Sequence, residues 1–222
     1  MKKLTQLAAA IAMTAGAMSA APVMAEGSWS ANIGFASEYY YRGIKQDESA
    51  ASGGIDYENG GFYAGVWTSS VDDGDEDSGL EVDGYFGYGI ETESGFGASL
   101  GFTTYQYTEN EFDTEYNEVN LNLSYGIASL EYSVGEHDVE AGDDEDYTFV
   151  ALTLEHNGFY GTYGSFSNDW EGDYVELGYG TEVAGFDAGV ALIFGSDDLG
   201  VEGTEGDNDE AIVFTIGKSF DL

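Results

Sequence analysis

The feature that most constrains this chain is an alternation of apolar with small or polar residues, which recurs from residue 28 to the end. Phe96, Leu100 and Phe102 fall on one side of such a segment, with glycine and serine on the other. A period of two is the pattern of a β-strand with one apolar face, and no sustained 3.6-residue helical stripe competes with it after residue 25. The alternation predicts twelve strands, near residues 28–41, 50–57, 62–70, 80–90, 96–107, 116–125, 129–135, 147–155, 159–167, 174–181, 186–195 and 211–222.

The connections between these segments alternate between short and long. The short ones are residues 58–61, 91–95, 126–128, 156–158 and 182–185, and the long ones are residues 42–49, 70–79, 108–115, 136–146, 168–173 and 196–210. Because an antiparallel meander reverses at every turn, all long connections emerge at one end. This asymmetry, with an even strand count, is typical of outer-membrane barrels. We therefore predict an all-β fold, a transmembrane antiparallel up-and-down β-barrel of about 12 strands.

A secreted β-sandwich would show the same alternation, so other features must decide between the two folds. The only proline, Pro22, precedes the first strand, and prolines are what would interrupt long sheet ladders. No connection has the pattern of a Greek key, and the last alternating segment runs to the terminal Leu222. These features favour the barrel.

The first 25 residues have the pattern of an export signal. Lys2 and Lys3 precede a small-apolar stretch over residues 7–18, and the segment ends in Val23-Met24-Ala25. Small residues at the positions read by signal peptidase predict cleavage after Ala25, leaving residues 26–222 as the barrel domain. No later stretch of ~18 apolar residues predicts a membrane-spanning helix. The expected location is the outer membrane of a Gram-negative bacterium.

Acidic residues dominate the charge of the chain, with 43 Asp and Glu against 5 Lys and Arg. Such a surface repels phosphate, which excludes nucleic acid as a partner. Most of the acids lie in the long connections, and the apolar stripes are almost free of charge. We expect the acidic mouth to attract cations and divalent ions, and through them the phosphates of lipopolysaccharide.

The candidate functional residues follow from this distribution. After the signal, the only cations are Arg42, Lys45 and Lys218, and the first two lie together where the first strand meets a long connection. Carboxylates on the polar faces of other strands would oppose them across the lumen. A basic pair facing an acidic wall predicts a pore constriction; a salt-bridged brace inside a plugged barrel is the equal alternative. The predicted pore-lining residues are Arg42, Lys45, Glu81, Asp83, Glu118, Glu131 and Glu176.

Catalytic, metal and cofactor sites are not indicated. The two histidines, His137 and His156, fall on a long and a short connection, so the topology places them at opposite ends. The acidic runs at residues 72–77 and 143–146 resemble calcium loops, but residues 73–79 place glycine one position too late for the pattern. We expect loose attraction of divalent ions, no bound cofactor and no enzymatic activity.

The stretch after the signal resembles the TorF-type porins, a family of exported proteins of Gram-negative bacteria. The similar segments are Asn32–Tyr39, Tyr41–Ile44 with Gln46, Gly53–Tyr57, Gly61–Trp67 and Phe214–Phe220. The order and spacing of these residues agree with the family over the N-terminal block. The middle of the chain is similar only in the general pattern of its strands. Lys45 and the terminal Asp221-Leu222 depart from the family pattern. The resemblance implies an outer-membrane channel.

The sequence thus predicts a passive, cation-preferring channel for small solutes. The alternative is a closed structural or adhesive barrel whose acidic loops bind divalent cations or surface partners. A barrel enzyme acting on lipids is disfavoured by the two separated histidines. Expected partners are outer-membrane lipid, lipopolysaccharide and small solutes or cations; a homo-oligomer is compatible with the sequence but not marked in it.

Overall fold

The fold is a closed antiparallel β-barrel. The structure is a computed structural model that describes residues 27–71, 79–108, 114–139, 143–201 and 210–222. The predicted signal segment and the acidic run at residues 72–77 therefore lie outside the described residues. Within the described ranges no helix has the length and hydropathy needed to cross a membrane.

Sixteen strands are formed by the described residues, and twelve of them make the barrel. In chain order they are β1 (Ser28–Ala36), β2 (Tyr39–Tyr41), β3 (Ile44–Asp47), β4 (Ala50–Asn59), β5 (Phe62–Val71), β6 (Gly79–Glu91), β7 (Phe96–Tyr107), β8 (Thr114–Tyr125), β9 (Ala128–Val139), β10 (Glu145–His156), β11 (Phe159–Asn168), β12 (Trp170–Glu171), β13 (Asp173–Val183), β14 (Phe186–Gly195), β15 (Gly200–Val201) and β16 (Glu210–Asp221). The closed sheet has the order β1-β16-β14-β13-β11-β10-β9-β8-β7-β6-β5-β4. The predicted twelve-stranded up-and-down barrel is confirmed.

The first predicted strand is wrong in its extent. The segment 28–41 leaves the wall after Ala36, and the chain re-enters it at Ala50, which pairs directly with Ala36. Between them, β2 and β3 form a separate two-stranded hairpin, which we call the inserted hairpin (residues 39–47). Aromatic residues on both faces of β2 conceal the break, because Tyr39 and Tyr40 are both buried. The first long connection is therefore a folded element rather than a loop at the rim.

The outer face of the barrel is apolar around its whole circumference. Each of the twelve wall strands contributes at least one large apolar residue that is exposed to its surroundings; Leu100, for example, is 58% exposed. Soluble proteins rarely expose a continuous apolar surface of this kind. A closed sheet has no unpaired edges, so it satisfies its backbone hydrogen bonds in lipid. The exterior is therefore that of a membrane-spanning barrel.

A charge placed on this face tests the membrane assignment directly. Leu100→Arg lies near the middle of β7 and should lower the free energy of unfolding by about 2–4 kcal/mol in phospholipid vesicles. Phe96→Arg is the matched control, since Phe96 lies next to a short turn where the same charge costs about 0–1 kcal/mol. Equal losses at the two positions, measured by denaturant unfolding, would contradict a bilayer centred on the barrel.

Tyrosines on the inner wall lie flat over glycines of the neighbouring strand. Tyr160 faces Gly178 and Tyr174 faces Gly164 in direct cross-strand pairs. A Cβ added at either glycine would overlap the tyrosine ring. The glycines therefore provide recesses that keep large rings against the wall instead of across the lumen.

The packed interior lies toward the end where the long connections emerge, which we call the long-loop end. Tyr40 of the inserted hairpin packs with Ile193 and Val213, while Ile44 packs against a second cluster that contains Phe149 and Tyr174. Toward the opposite, short-turn end, inward-facing positions such as Asn122, Ser124, Thr153 and Glu155 are only half-buried. The inserted hairpin thus fills the interior at one end and leaves the other end accessible to water.

Candidate functional site

Arg42 occupies the tip of the inserted hairpin. The two-residue turn consists of Arg42 and Gly43, with φ angles of 49° and 82°. A side chain at Gly43 would approach Tyr174 Cβ to 2.7 Å, so the tip is pressed against β13 and accepts only glycine there. Arg42 is 2% exposed although it lies in a turn. The turn geometry therefore carries a guanidinium into the interior of the barrel.

The guanidinium of Arg42 is bound by carboxylates of two neighbouring strands. Its Nη1 donates to Glu118 Oε1, and its Nη2 donates to Glu118 Oε2 at 2.9 Å and to Glu131 Oε1 at 2.6 Å. Nη2 also lies 3.2 Å from Ser133 Oγ. Two-pronged contact with a carboxylate is the strongest geometry open to arginine. One cation and two carboxylates leave this buried cluster with a net negative charge.

Aromatic side chains surround the same cluster. The hydroxyl of Tyr147 donates to Glu118 at 2.7 Å, and that of Tyr105 donates at 3.2 Å. The guanidinium carbon lies 4.8 Å from the ring centre of Tyr41 and 4.2 Å from that of Phe149. Rings at this distance stabilise a cation through their electron-rich faces. The site therefore holds its positive charge by ion pairs and ring faces together.

Two of the predicted carboxylates, Glu81 and Asp83 on β6, form a second group. Both are buried beside Tyr39 of the inserted hairpin. Glu81 Oε2 and Asp83 Oδ1 have no hydrogen-bond partner among the described residues. They lie on the same side of the barrel as Glu118 and Glu131, because only β7 separates β6 from β8 in the sheet.

Glu176 and Lys45 occupy separate positions. Glu176 on β13 is fully buried and accepts a hydrogen bond from Tyr160. Lys45 Nζ pairs with Glu48 Oε1 at 2.8 Å on the more exposed face of the hairpin. That hydrogen bond raises the pKa of Lys45 above its ordinary value. The structure therefore brings Arg42, Glu118 and Glu131 together and does not bring Lys45 to them; that these residues line a conducting path stays a prediction.

The two histidines lie toward opposite ends of the barrel. His137 stacks on Tyr116 with ring centres 4.0 Å apart, and its Nδ1 lies 3.1 Å from Glu145 Oε2 near the long-loop end. His156 adjoins a turn at the opposite end. Among the described residues, no group of three His, Cys, Asp or Glu side chains is placed to hold a metal ion.

Sequence reasoning missed an aromatic pocket between the inserted hairpin and the wall. The pocket has a volume of about 510 Å³, counted with its open mouth, and Arg42, Ile44 and Gln46 line its hairpin side. Its aromatic lining consists of Tyr41, Tyr105, Tyr107, Tyr116, Tyr147, Phe166 and Trp170. These rings come from β2, β7, β8, β10, β11 and β12. Inward-facing tyrosines at alternate positions were the available signal, but only the folded hairpin turns them into a pocket.

The fold and the apolar exterior define a transmembrane β-barrel of the outer-membrane type. The chain belongs to a bacterial protein family of unknown function, Gcw_chp, whose model matches residues 19–220. This family match does not identify the chain as a TorF-type porin. We find no curated protein that matches the chain significantly.

Solved structures include barrels similar to this one. A chain from work described as "Unveiling the Mechanism Behind the in-meso Crystallization of Membrane Proteins" is 9% identical with a TM-score of 0.52, covering 88% of this chain and 84% of that chain. The outer membrane protein OpdK from Pseudomonas aeruginosa is 15% identical with a TM-score of 0.37, covering 80% of this chain and 59% of its own. A Rhodopseudomonas blastica porin mutant is 12% identical with a TM-score of 0.35, covering 90% and 100%. The first likeness supports the fold alone.

Proposed function

We propose that the protein is an outer-membrane channel for passive diffusion of small solutes, with a preference for cations. The observation that carries this proposal is the charge of the barrel interior. Five buried carboxylates face inward from the wall. Among the described residues, Arg42 is the only buried Lys or Arg. Rings of carboxylates favour cations in pores. The carboxylates still outnumber the cation after Arg42 is paired.

The inserted hairpin forms the constriction of this channel. It occupies the interior at the long-loop end, and Arg42 ties its tip to β8 and β9. A solute must pass between the hairpin and the wall, where Glu81, Asp83 and the Arg42 cluster flank the way. Size selection and charge selection thus occur at the same level of the barrel.

The proposed location is the outer membrane of a Gram-negative bacterium, with cleavage of the signal after Ala25. The apolar exterior, the basic start at Lys2 and Lys3 and the resemblance to TorF-type porins support this location. The acidic long connections would face outward, where divalent ions bridge them to lipopolysaccharide. We propose no enzymatic activity for the barrel.

A second candidate function is a closed structural barrel, and one observation favours it. Three buried clusters pack the inserted hairpin against different parts of the wall. Tyr39 and Tyr40 each belong to one of these clusters, and Ile44 packs against the other. A hairpin held on three sides suits a permanent plug as well as a constriction. In that case the acidic loops, rather than the lumen, would carry the function.

Single-channel recording distinguishes the two functions. We expect the purified protein in a planar bilayer to give discrete conductance steps. In a KCl gradient, we expect a reversal potential whose sign shows that potassium crosses more easily than chloride. Lys218→Ala should leave both quantities nearly unchanged, because Lys218 lies against the rings of Phe186 and Phe220 near the short-turn end, away from the inserted hairpin. Absence of steps would favour the closed barrel, and chloride selectivity would contradict the proposed role of the carboxylates.

A further inference from the structure

The aromatic pocket beside the inserted hairpin shares Arg42, Tyr105 and Tyr147 with the buried cluster and extends beyond it to Phe166 and Trp170. Seven of its ten lining residues are aromatic, and its space of about 510 Å³ is counted with the open mouth. Concave, mostly apolar spaces with a few polar groups are the usual sites of small molecules. The concentration of rings in one partly enclosed space therefore points to a bound ligand.

Three of these rings donate their polar hydrogens to carboxylates. Tyr147 donates its hydroxyl hydrogen to Glu118 at 2.7 Å, and Trp170 Nε1 donates to Glu145 Oε2 at 3.1 Å. Tyr41 shares a 2.6 Å hydrogen bond with Tyr105, which itself donates to Glu118. Donation to a carboxylate increases the electron density of the ring. The surfaces left to a ligand are thus electron-rich ring faces with few hydrogen-bonding atoms.

The charges behind the rings have the sign that suits a cation. Arg42 contributes one positive charge, against Glu118 and Glu131 in the same cluster and Glu145 behind Trp170. The rings already stabilise a cation, because the Arg42 guanidinium lies 4.8 Å from the ring centre of Tyr41. An anion would meet an excess of carboxylates, and a sugar would find too few free polar partners for its hydroxyls.

We propose that the aromatic pocket binds an organic quaternary ammonium cation of about the size of choline. A quaternary ammonium carries charge without N–H donors, so it requires ring faces and nearby negative charge rather than hydrogen bonds. Tyr116 and Trp170 both line this site, with ring centres 6.0 Å apart and ring planes nearly perpendicular. Binding here does not depend on whether the barrel conducts.

A pair of isosteric ligands tests the proposal on the unmodified protein. Choline and 3,3-dimethyl-1-butanol have the same shape, but a neutral carbon replaces the cationic nitrogen in the second. We expect calorimetric titration of the full-length chain in detergent to show choline binding about tenfold tighter or better, the effect of one or two cation–ring contacts. Equal affinities would overturn the proposal in favour of an unselective apolar pocket, and no binding of choline would overturn it outright.

Ring variants locate the binding. Tyr116→Leu and Trp170→Leu should each weaken choline binding about tenfold, whereas Tyr116→Phe keeps the ring and should keep the affinity. Trp29→Leu is the matched control, because Trp29 is an exposed aromatic residue on the outer face near the short-turn end. Folding of every variant is checked by the heat-dependent gel migration of the barrel. Unchanged affinity in folded Tyr116→Leu and Trp170→Leu would place choline elsewhere and overturn the assignment.

Discussion

Arg42→Ala is expected to lower the free energy of unfolding by about 3–5 kcal/mol, because it leaves Glu118 and Glu131 buried without their cation. The same change should raise the single-channel conductance and deepen the preference for cations. It removes the positive charge and the side chain that tie the hairpin tip to β8 and β9. Denaturant unfolding in detergent measures the first effect, and recording in planar bilayers measures the second.

Two variants separate the ion pair from other consequences of the substitution. Lys45→Ala removes a cation of the same hairpin whose partner Glu48 is exposed, so it should cost about 0–1 kcal/mol. Adding Glu118→Gln to Arg42→Ala removes one of the unpaired charges and should restore part of the stability. A double variant no more stable than Arg42→Ala would show that lost packing, not unpaired charge, causes the destabilisation. Unchanged conductance in Arg42→Ala would assign Arg42 to bracing alone.

Much of the wall could be predicted from the sequence because its strands obey a single rule. The segment 96–107 was predicted and observed with the same bounds, since one apolar face meets lipid and the other meets the lumen throughout its length. The inward direction of Glu118, Glu131 and Glu176 follows from the same alternation. Period-two patterning therefore fixes which side of the wall a residue occupies, whatever its partners are.

The inserted hairpin escaped prediction for a physical reason. Alternation reports whether a side chain faces lipid or the interior, but Tyr39 and Tyr40 are both inside, so the run looks like a continuing strand. The partners of Arg42 are 76 and 89 residues distant in sequence, and nothing local selects them among the many acids. Only the closure of the barrel brings these groups together, and the aromatic pocket depends on the same closure.

Removal of the inserted hairpin should have the largest effect on conductance of any change considered. Ala36 and Ala50 are direct register partners, so an Asn-Gly turn in place of residues 37–49 can join β1 to β4 as an ordinary two-residue hairpin. Glu118→Gln and Glu131→Gln accompany the deletion, so that no buried carboxylate loses its cation. We expect a several-fold rise in single-channel conductance and a loss of stability, because the hairpin's packing with residues such as Ile193 is lost.

A turn shortened at the other end of the barrel supplies the matched control. Thr92 donates its backbone N–H to the Phe96 carbonyl at 2.8 Å, so Asn-Gly can replace residues 93–95 without disturbing β6 or β7. This variant should keep the conductance of the unmodified protein, since it changes a short turn and leaves the inserted hairpin in place. If the hairpin-free barrel folds, as judged by heat-dependent gel migration, yet conducts no better than the control, the hairpin is not the constriction. The lumen would then be closed elsewhere, and the structural barrel would become the better description of the protein.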